Sequence, residues 1–361
     1  MAREEGFPAG AGFVILDGVM KLPSEAVARL KRFYEGRAVC VTGGAGFIGG
    51  HLLDALLSLG ASITVIDDLS SSDVGHVAEL IDLEPKRVRF VHGSILDDDA
   101  LRDAISGRDD APAAATVFHL AAIGSVPRSI KEPQRTWSVN ATGTLRVLEA
   151  ARNASSARVV FAASSSAYGD QRGASKVETM VPSPLSPYAA SKLAGEHLMA
   201  SWAQSYGLST ASLRYFNVFG ARQSAESQYA AVVPAMIKRL LEGMPPVIYG
   251  DGRQTRDMTY VGNAVLGTLL AGACERALKG EVMNIGGGWR VSILELSQKL
   301  AALCGMEGVT PVFEPSRTGD VKDSLADISR AREVLGYEAF TPVDAGLAET
   351  VKWCRELAGK A

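Results

Sequence analysis

The chain has 361 residues, 47% of them hydrophobic and 21% charged, with a formal net charge of -3. That length and mix describe a globular protein with room for one large domain or two joined ones, and exclude a disordered or fibrous chain. So small a charge gives no field for nucleic acid or an anionic membrane, so a phosphorylated ligand must be held by a few local basic groups.

In chain order, MAREEGFPAGAGFVILDGVM carries acids early and lacks a basic start leading into an apolar core, so no secretory signal is expected. No window of about 18 or more consecutive apolar residues follows, and no membrane span is expected. Residues 1–36 read as an N-terminal extension in which LPSEAVARLKRFYE suggests an amphipathic helix opened by Ser24, with no function attached. From Arg37, β-branched runs alternate with amphipathic ones. RAVCVTG reads as a strand, followed by a helix over residues 47–59 with Ile48, Leu52, Leu56 and Leu59 at helical spacing. SITVID, RVRFVHG, ATVFHLAA, ARVVFAASS and LSTASLRYFN read as further strands, with helices over residues 73–81, 97–105 and 136–152 between them. This alternation predicts an α/β fold built on a doubly wound parallel sheet over residues 37–215, its strands apolar throughout because helices cover both faces. After Phe216 the regularity breaks up into helices over 229–242, 263–278 and 294–303, separated by short strands PVIYG and EVMNIG. Residues 216–361 therefore read as a smaller, mixed α/β substrate lobe, and no internal repeat is visible.

Cys40, Cys274, Cys304 and Cys354 lie far apart in apolar stretches without a CxxC pair, which predicts buried free thiols in a reducing cytoplasmic setting. His51, His76, His92, His119 and His197 form no ligand-spaced cluster, so no metal is expected.

VTGGAGFIGG, residues 41–50, sits between the first strand and the first helix. Glycines 43, 44, 46 and 49 permit a tight turn and let the backbone approach a pyrophosphate, which the amides and dipole of the helix start then hold. Asp67 ends the second strand 18 residues after Gly49, where a carboxylate accepts from ribose hydroxyls and repels a ribose phosphate, favouring NAD over NADP.

In Ser186-Pro187-Tyr188-Ala189-Ala190-Ser191-Lys192, Ser186 can cap a helix and Pro187 suits its first position. Tyr188 and Lys192 then share a face one turn apart, and the ammonium is expected to draw the phenol down from its usual pKa of about 10 towards neutrality. Such a phenol can exchange a proton with a sugar hydroxyl while hydride moves to a nicotinamide; the plain alternative is an aromatic–lysine pair on a helix surface. The fifth strand ends in AASSSAYG, and strand carboxyl ends are where this architecture places ligands. Among its serines Ser164 is the first candidate to touch the reacting oxygen and Ser166 the second.

TGGAGFIG, Ser164 and YAASK together closely resemble the extended short-chain dehydrogenase/reductase family of nucleotide-sugar epimerases and dehydratases, whose sheet is of the Rossmann type, over nearly the whole chain from Arg37. HLAAIGSVPRSI, AASSSAYGD, LSPYAASK, LRYFNVFGARQ, YAAVVP, GDGRQTRDMTYV and GDVKDSLADIS look like the branch that epimerises UDP-N-acetylglucosamine and UDP-N-acetylgalactosamine at C4. The resemblance implies Tyr188 as base, Lys192 as its partner and nicotinamide-ribose ligand, and Ser164 as proton relay. It places NAD on Gly43, Gly46, Phe47, Ile48, Gly49, Asp67 and Lys192. It places the UDP-sugar on Ser125, Arg128, Ser164, Ser166, Tyr188, Asn217, Arg256, Arg317 and Ser324, with Asn140 supporting the site. Ser324 stands where relatives restricted to non-acetylated sugars carry a bulky residue. It also implies a homodimer paired through the helices around 136–152 and 188–206.

There are departures. The family's Gly-Asp-Ile after the third strand, whose Asp holds adenine, is Gly93-Ser94-Ile95 here. The Asp-Glu pair of dehydratases is Ser165-Ser166, which supplies no acid, so dehydration is disfavoured. The expected activity is NAD-dependent 4-epimerisation of a UDP-hexose, N-acetylated or plain. Epimerisation or decarboxylation of a UDP-uronate, and a non-catalytic NAD-sensing module, are the alternatives.

Overall fold

The computed structural model describes residues 13–16, 20–108, 111–171, 173, 175–225, 231–316 and 321–359. Seven strands form the central sheet: β1 (Ala38–Thr42), β2 (Ser62–Asp67), β3 (Val88–His92), β4 (Thr116–His119), β5 (Arg158–Ser164), β6 (Ser209–Tyr215) and β7 (Lys279–Ile285). Their spatial order is β7-β6-β5-β4-β1-β2-β3, and every neighbouring pair is parallel. The direction of winding reverses between β1 and β4, which opens a crevice at their carboxyl ends where such sheets take ligands.

The expected helices around the first half form as α2 (Phe47–Ser58), α3 (Gly75–Leu83) and α4 (Asp98–Ser106), the last capped by Asp97 accepting from the amides of Asp99 and Ala100. The expected helical stretch over residues 136–152 forms, but widens to a π turn within it. Preceded by α5 (Val126–Lys131), it runs through the end of α6 (Pro133–Trp137), a π-helical turn at Ser138–Thr142 and α7 (Gly143–Asn153). The wide turn carries Asn140, whose side chain is bonded outside the helix, and such turns cluster at functional sites.

EVMNIG, expected in the second lobe, supplies β7 and pairs with β6 in the central sheet. Its crossover helix α10 (Val261–Gly272) is buried along its whole length, with Val261, Val265 and Leu269 in the same core as Leu52 and Leu56 of α2. Periodicity identified the strand but could not say which sheet it would join, because pairing across many intervening residues leaves no local mark. The extension contributes α1 (Ser24–Tyr34) to that layer: Leu30 and Tyr34 are buried, and the Tyr34 hydroxyl donates to Leu269 O at 2.7 Å. Burying such side chains contributes roughly 1.5–3 kcal/mol each. Ser24 lies within the helix and gives no cap; Pro23 occupies the cap position.

The opposite face of the sheet is covered by α4, α7 and α8 (Pro187–Tyr206) through Leu101, Ile105, Val147, Leu148 and Met199. A third cluster joins α9 (Val232–Leu241), α11 (Ile293–Cys304) and the C-terminal helix Val343–Ala358 through Met236, Leu240, Leu296, Leu300 and Leu347. Cys40 and Cys274 are buried thiols as expected, whereas Cys304 and Cys354 keep partial exposure. Among the described residues no helix is long and apolar enough to cross a membrane.

Candidate active site

A cavity of about 1130 Å³ runs along the carboxyl ends of the strands, from Ser94 and Asp68 at one end to Arg256 and Ser324 at the other. It is lined by each residue expected to hold NAD or the UDP-sugar that the structure describes, while Asn140 lies buried outside its wall; Arg317 lies outside the described residues.

The glycine turn is built for close approach. Gly43 adopts φ +72, and a Cβ there would stand 2.6 Å from Ala121 N; at Gly49 a Cβ would stand 2.3 Å from Gly43 O. Only glycine lets turn and helix pack so tightly. Helix α2 starts at Phe47 without a side-chain cap, so its first amides remain for a phosphate. Asp67 fixes this turn as well as facing the cavity: its Oδ2 accepts from Ala45 N at 3.1 Å and its Oδ1 from Leu69 N at 2.9 Å. Burial pushes the Asp67 carboxyl up, while the amide donors of Leu69 and Ala45 pull it down. Cradle, uncapped amides and anchored carboxylate fit a dinucleotide.

Helix α8 begins as the sequence requires, with Ser186 Oγ accepting from Ala189 N at 3.1 Å and Pro187 in the first turn. Tyr188 and Lys192 both line the cavity, with Ser164 at the end of β5 among its walls. Ser166 donates its hydroxyl to Ser164 Oγ at 2.9 Å and its amide to the same atom at 3.2 Å, orienting the Ser164 side chain.

The expected tuning of the phenol by Lys192 is not what the structure shows. Burial pushes the Tyr188 phenol up, and the group opposing this is Ser164. The Lys192 ammonium instead donates to Ala162 O at 2.8 Å and lies 4.8 Å from the centroid of the Phe161 ring. It is itself depressed to about 7 by burial, with Glu196 resisting. Between about 7 and its usual 10.5 the folded chain therefore binds fewer protons at Lys192 than the unfolded chain, so this residue makes stability rise with pH across that window. Lys192→Met is expected to stabilise the cofactor-free protein at pH 7 by on the order of a few kcal/mol, the advantage shrinking as pH climbs towards 10. Urea denaturation of both proteins at several pH values measures this, and a gap that widens with pH contradicts it.

Glu196, one turn beyond Lys192, was not singled out in the sequence. Arg214 of β6 grips it with two bonds, Nε to Oε1 at 2.8 Å and Nη2 to Oε2 at 2.7 Å, and both side chains are 3% exposed. The Arg214 guanidinium also lies 4.4 Å from the centre of the Tyr168 ring, and Tyr168 donates to Asn284 Oδ1 at 2.7 Å. Tyr168 ends the turn that carries Ser165 and Ser166. One buried network thus locks α8, the serine turn and β7 together. Continuation of the Tyr188, Lys192, Glu196 spacing was the available signal.

Asn140 ties this region together: its Oδ1 accepts from Ile123 N at 2.8 Å and its Nδ2 donates to Ser191 Oγ at 3.0 Å, while Ser191 donates to Tyr188 O at 2.8 Å. His119 lies beneath. Thr144 spends its hydroxyl proton on Asn140 O, so His119 Nε2 donates to Thr144 Oγ1 at 2.9 Å and Nδ1 accepts from Thr42 Oγ1 at 2.8 Å. Burial and the charge of Lys192 hold this ring neutral, its pKa pushed down to about 3.

At the far end, Asn217 takes φ +31 and donates to Asp257 O at 2.9 Å. Arg256, on the strand Thr255–Asp257, donates to its own neighbour's carbonyl, Thr255 O, at 2.8 Å. Asp257 accepts from the amides of Gly287, Gly288 and Ala326, pinning the segment that presents Ser324, itself 8% exposed. Ser125 caps α5 by accepting from Arg128 N at 3.2 Å, and Arg128 pairs with Glu132 at 3.4 Å. Glu132 also pairs with Arg135, and both line the cavity though neither was expected there.

A family profile described as the NAD dependent epimerase/dehydratase family matches residues 39–286. Among curated proteins the chain is 38% identical over 318 residues to the UDP-glucose 4-epimerase of Mycolicibacterium smegmatis, covering 87% of this chain and 97% of that one. Among solved structures it resembles the UDP-N-acetylglucosamine 4-epimerase from Methanobrevibacter ruminantium in complex with UDP-N-acetylmuramic acid, at TM-score 0.80 and 34% identity over 90% of this chain and 99% of that one. It also resembles the UDP-glucuronic acid 4-epimerase from Bacillus cereus in complex with UDP-glucuronic acid and NAD, at TM-score 0.79 and 33% identity over 89% of this chain and 99% of that one.

Proposed function

This chain belongs to the NAD dependent epimerase/dehydratase family and uses NAD, and from that membership we propose that it inverts the C4 hydroxyl of a UDP-linked hexose. UDP-N-acetylglucosamine and UDP-N-acetylgalactosamine are the preferred pair, with UDP-glucose and UDP-galactose as further substrates. NAD would be held by the glycine turn, Asp67 and Lys192 and would supply reversible hydride transfer at C4, so no net redox change would result. Tyr188, as the phenolate, accepts the C4 hydroxyl proton, directly or through Ser164, as the hydride leaves C4 to give a ketone there, and gives the proton back at the end. Arg256 holds the nucleotide diphosphate while the sugar turns, so binding energy is placed away from the reacting carbon. Ser165 and Ser166 offer no acid for eliminating water, which leaves inversion rather than dehydration.

The observation that carries this reading is one cavity holding Ser164, Tyr188 and Lys192 together with a small residue, Ser324, on its sugar-side wall. Ser324→Tyr is expected to lower turnover of UDP-N-acetylglucosamine about tenfold or more while UDP-glucose turnover is largely retained. Equal loss on both sugars would remove the argument from Ser324. The activity itself is tested by following UDP-N-acetylglucosamine with the purified protein by proton NMR, where the galacto isomer should accumulate. A second reading, action on a UDP-uronate, draws on Arg128 and Arg135 in the cavity wall, cations that suit a sugar carboxylate. Conversion of UDP-glucuronate in the same assay without any galacto isomer would replace the first reading by the second.

We also propose that the chain works as a homodimer. Trp137 and Leu145 are 49% and 38% exposed beside an apolar groove that includes Ala141, Ala194 and Leu198. A face of this kind marks an association surface. Leu145→Arg should shift the light-scattering mass from dimer to monomer; an unchanged mass places the contact elsewhere.

A further inference from the structure

A buried ring bridges the floor of the cleft between β1 and β4. His119 ends β4 directly opposite Thr42, the last residue of β1, across the place where the winding reverses. It is buried and does not line the cavity, whereas its neighbours Leu120 and Ala121 do.

Its two nitrogens are bonded to different elements. On one side Thr42 Oγ1 donates to Nδ1 at 2.8 Å and accepts from Ala121 N at 3.2 Å, and the glycine turn begins at the next residue. On the other side Nε2 donates to Thr144 Oγ1 of α7 at 2.9 Å, and Thr144 donates to Asn140 O at 2.6 Å. Asn140 Nδ2 donates to Ser191 Oγ at 3.0 Å and Ser191 to Tyr188 O at 2.8 Å, so the chain of contacts ends on the Tyr188 backbone.

These bonds run one way. Each hydroxyl has a single proton, so the order from the Ala121 amide to the Asn140 carbonyl needs a middle group that accepts at one atom and donates at another. A neutral imidazole does this within a rigid ring. The ring plane is fixed as well. It stacks on Phe161 of β5 with centroids 5.4 Å apart, and the Lys192 ammonium lies 4.8 Å from the centroid of that same Phe161. Burial and the Lys192 charge keep the ring neutral, so the order persists near neutral pH.

We propose that His119 is a positioning residue that holds the glycine turn and the Tyr188 helix in fixed register, so that phenol and nicotinamide meet the sugar together. The inference rests on the proposed C4 chemistry and adds to it a side chain that touches neither cofactor nor sugar. Displacing a reacting group by about 1 Å costs roughly a hundredfold in rate, so such a brace matters at a distance.

The test separates the two arms of the ring, using full-length protein stripped of cofactor. His119→Phe keeps the stack on Phe161 and removes both bonds. It should lower kcat by about tenfold or more, leave the UDP-sugar KM within about twofold, and weaken NAD binding by about fivefold or more. Thr144→Val cuts only the arm towards Tyr188, and should give a similar fall in kcat with NAD affinity within about twofold of wild type. Thr144→Ser keeps the hydroxyl and should recover most of the turnover. NMR progress curves read turnover and a fluorescence titration reads NAD affinity; should His119→Phe fail to fold, Thr42→Val carries the NAD arm. Wild-type kcat and NAD affinity in His119→Phe overturn the proposal, as does a Thr144→Ser protein as slow as Thr144→Val, or a fall in kcat matched by an equal rise in KM. Wild-type protein that converts no UDP-sugar is a different failure: it removes the C4 chemistry, and the contrast in NAD affinity between His119→Phe and Thr144→Val then decides the role of the ring.

Discussion

Tyr188→Phe should lower turnover by about 10²- to 10⁴-fold, the usual contribution of one positioned acid–base group, while NAD still binds. The ring remains to fill its place on α8, and the cofactor contacts argued here run through the glycine turn, Asp67 and Lys192 rather than through the phenol. What disappears is the phenol oxygen, whose pKa Ser164 holds down against burial. NMR progress curves measure the turnover and a fluorescence titration measures NAD affinity. Undiminished turnover would mean that the proton leaves by another group and that the whole catalytic assignment fails.

Arg214→Met should be the most damaging change to stability, at about 3–5 kcal/mol, because it strands the Glu196 carboxylate in a place 3% exposed. The cost lies in the uncompensated charge rather than in a lost attraction. The double variant Arg214→Met with Glu196→Leu should therefore recover much of the stability, since an apolar pair of similar volume replaces a pair whose desolvation was already expensive. Urea denaturation of both single variants and the double gives the coupling directly. Additive losses would show that the two side chains do not act as a unit. Recovered stability need not bring recovered catalysis, because Glu196 also faces Lys192 along the same helix.

Features written in local backbone chemistry were legible in the sequence. The glycine turn, the Ser186-Pro187 helix start and Asp67 at a strand end each follow from steric or capping rules spanning fewer than about ten residues. They also placed Ser164, Tyr188 and Lys192 on a common cavity, because the strand–helix alternation dictates which ends of the strands come together. Features decided by distant partners were not legible. EVMNIG has the apolar character of any short strand, and only its neighbour β6 makes it part of the central sheet. The helix expected over 136–152 opens at Asn140 because that side chain is bonded to Ile123 and Ser191, residues far along the chain. Spacing placed Lys192 beside Tyr188, but the direction of its ammonium was set by Ala162 O and Phe161 on another strand. The Glu196–Arg214 pair joins a helix and a strand whose charges look unremarkable in isolation.

The return of β7 to the sheet bears on how the chain is made. Until residue 285 has been synthesised, β6 has one hydrogen-bonding edge without its strand and α2 lacks the helix that covers it. The sheet up to β6 cannot mature first on the ribosome and wait for the rest of the chain to follow. The two are stitched into one cooperative unit, and a fragment ending after β6 would present an open apolar edge suited to aggregation.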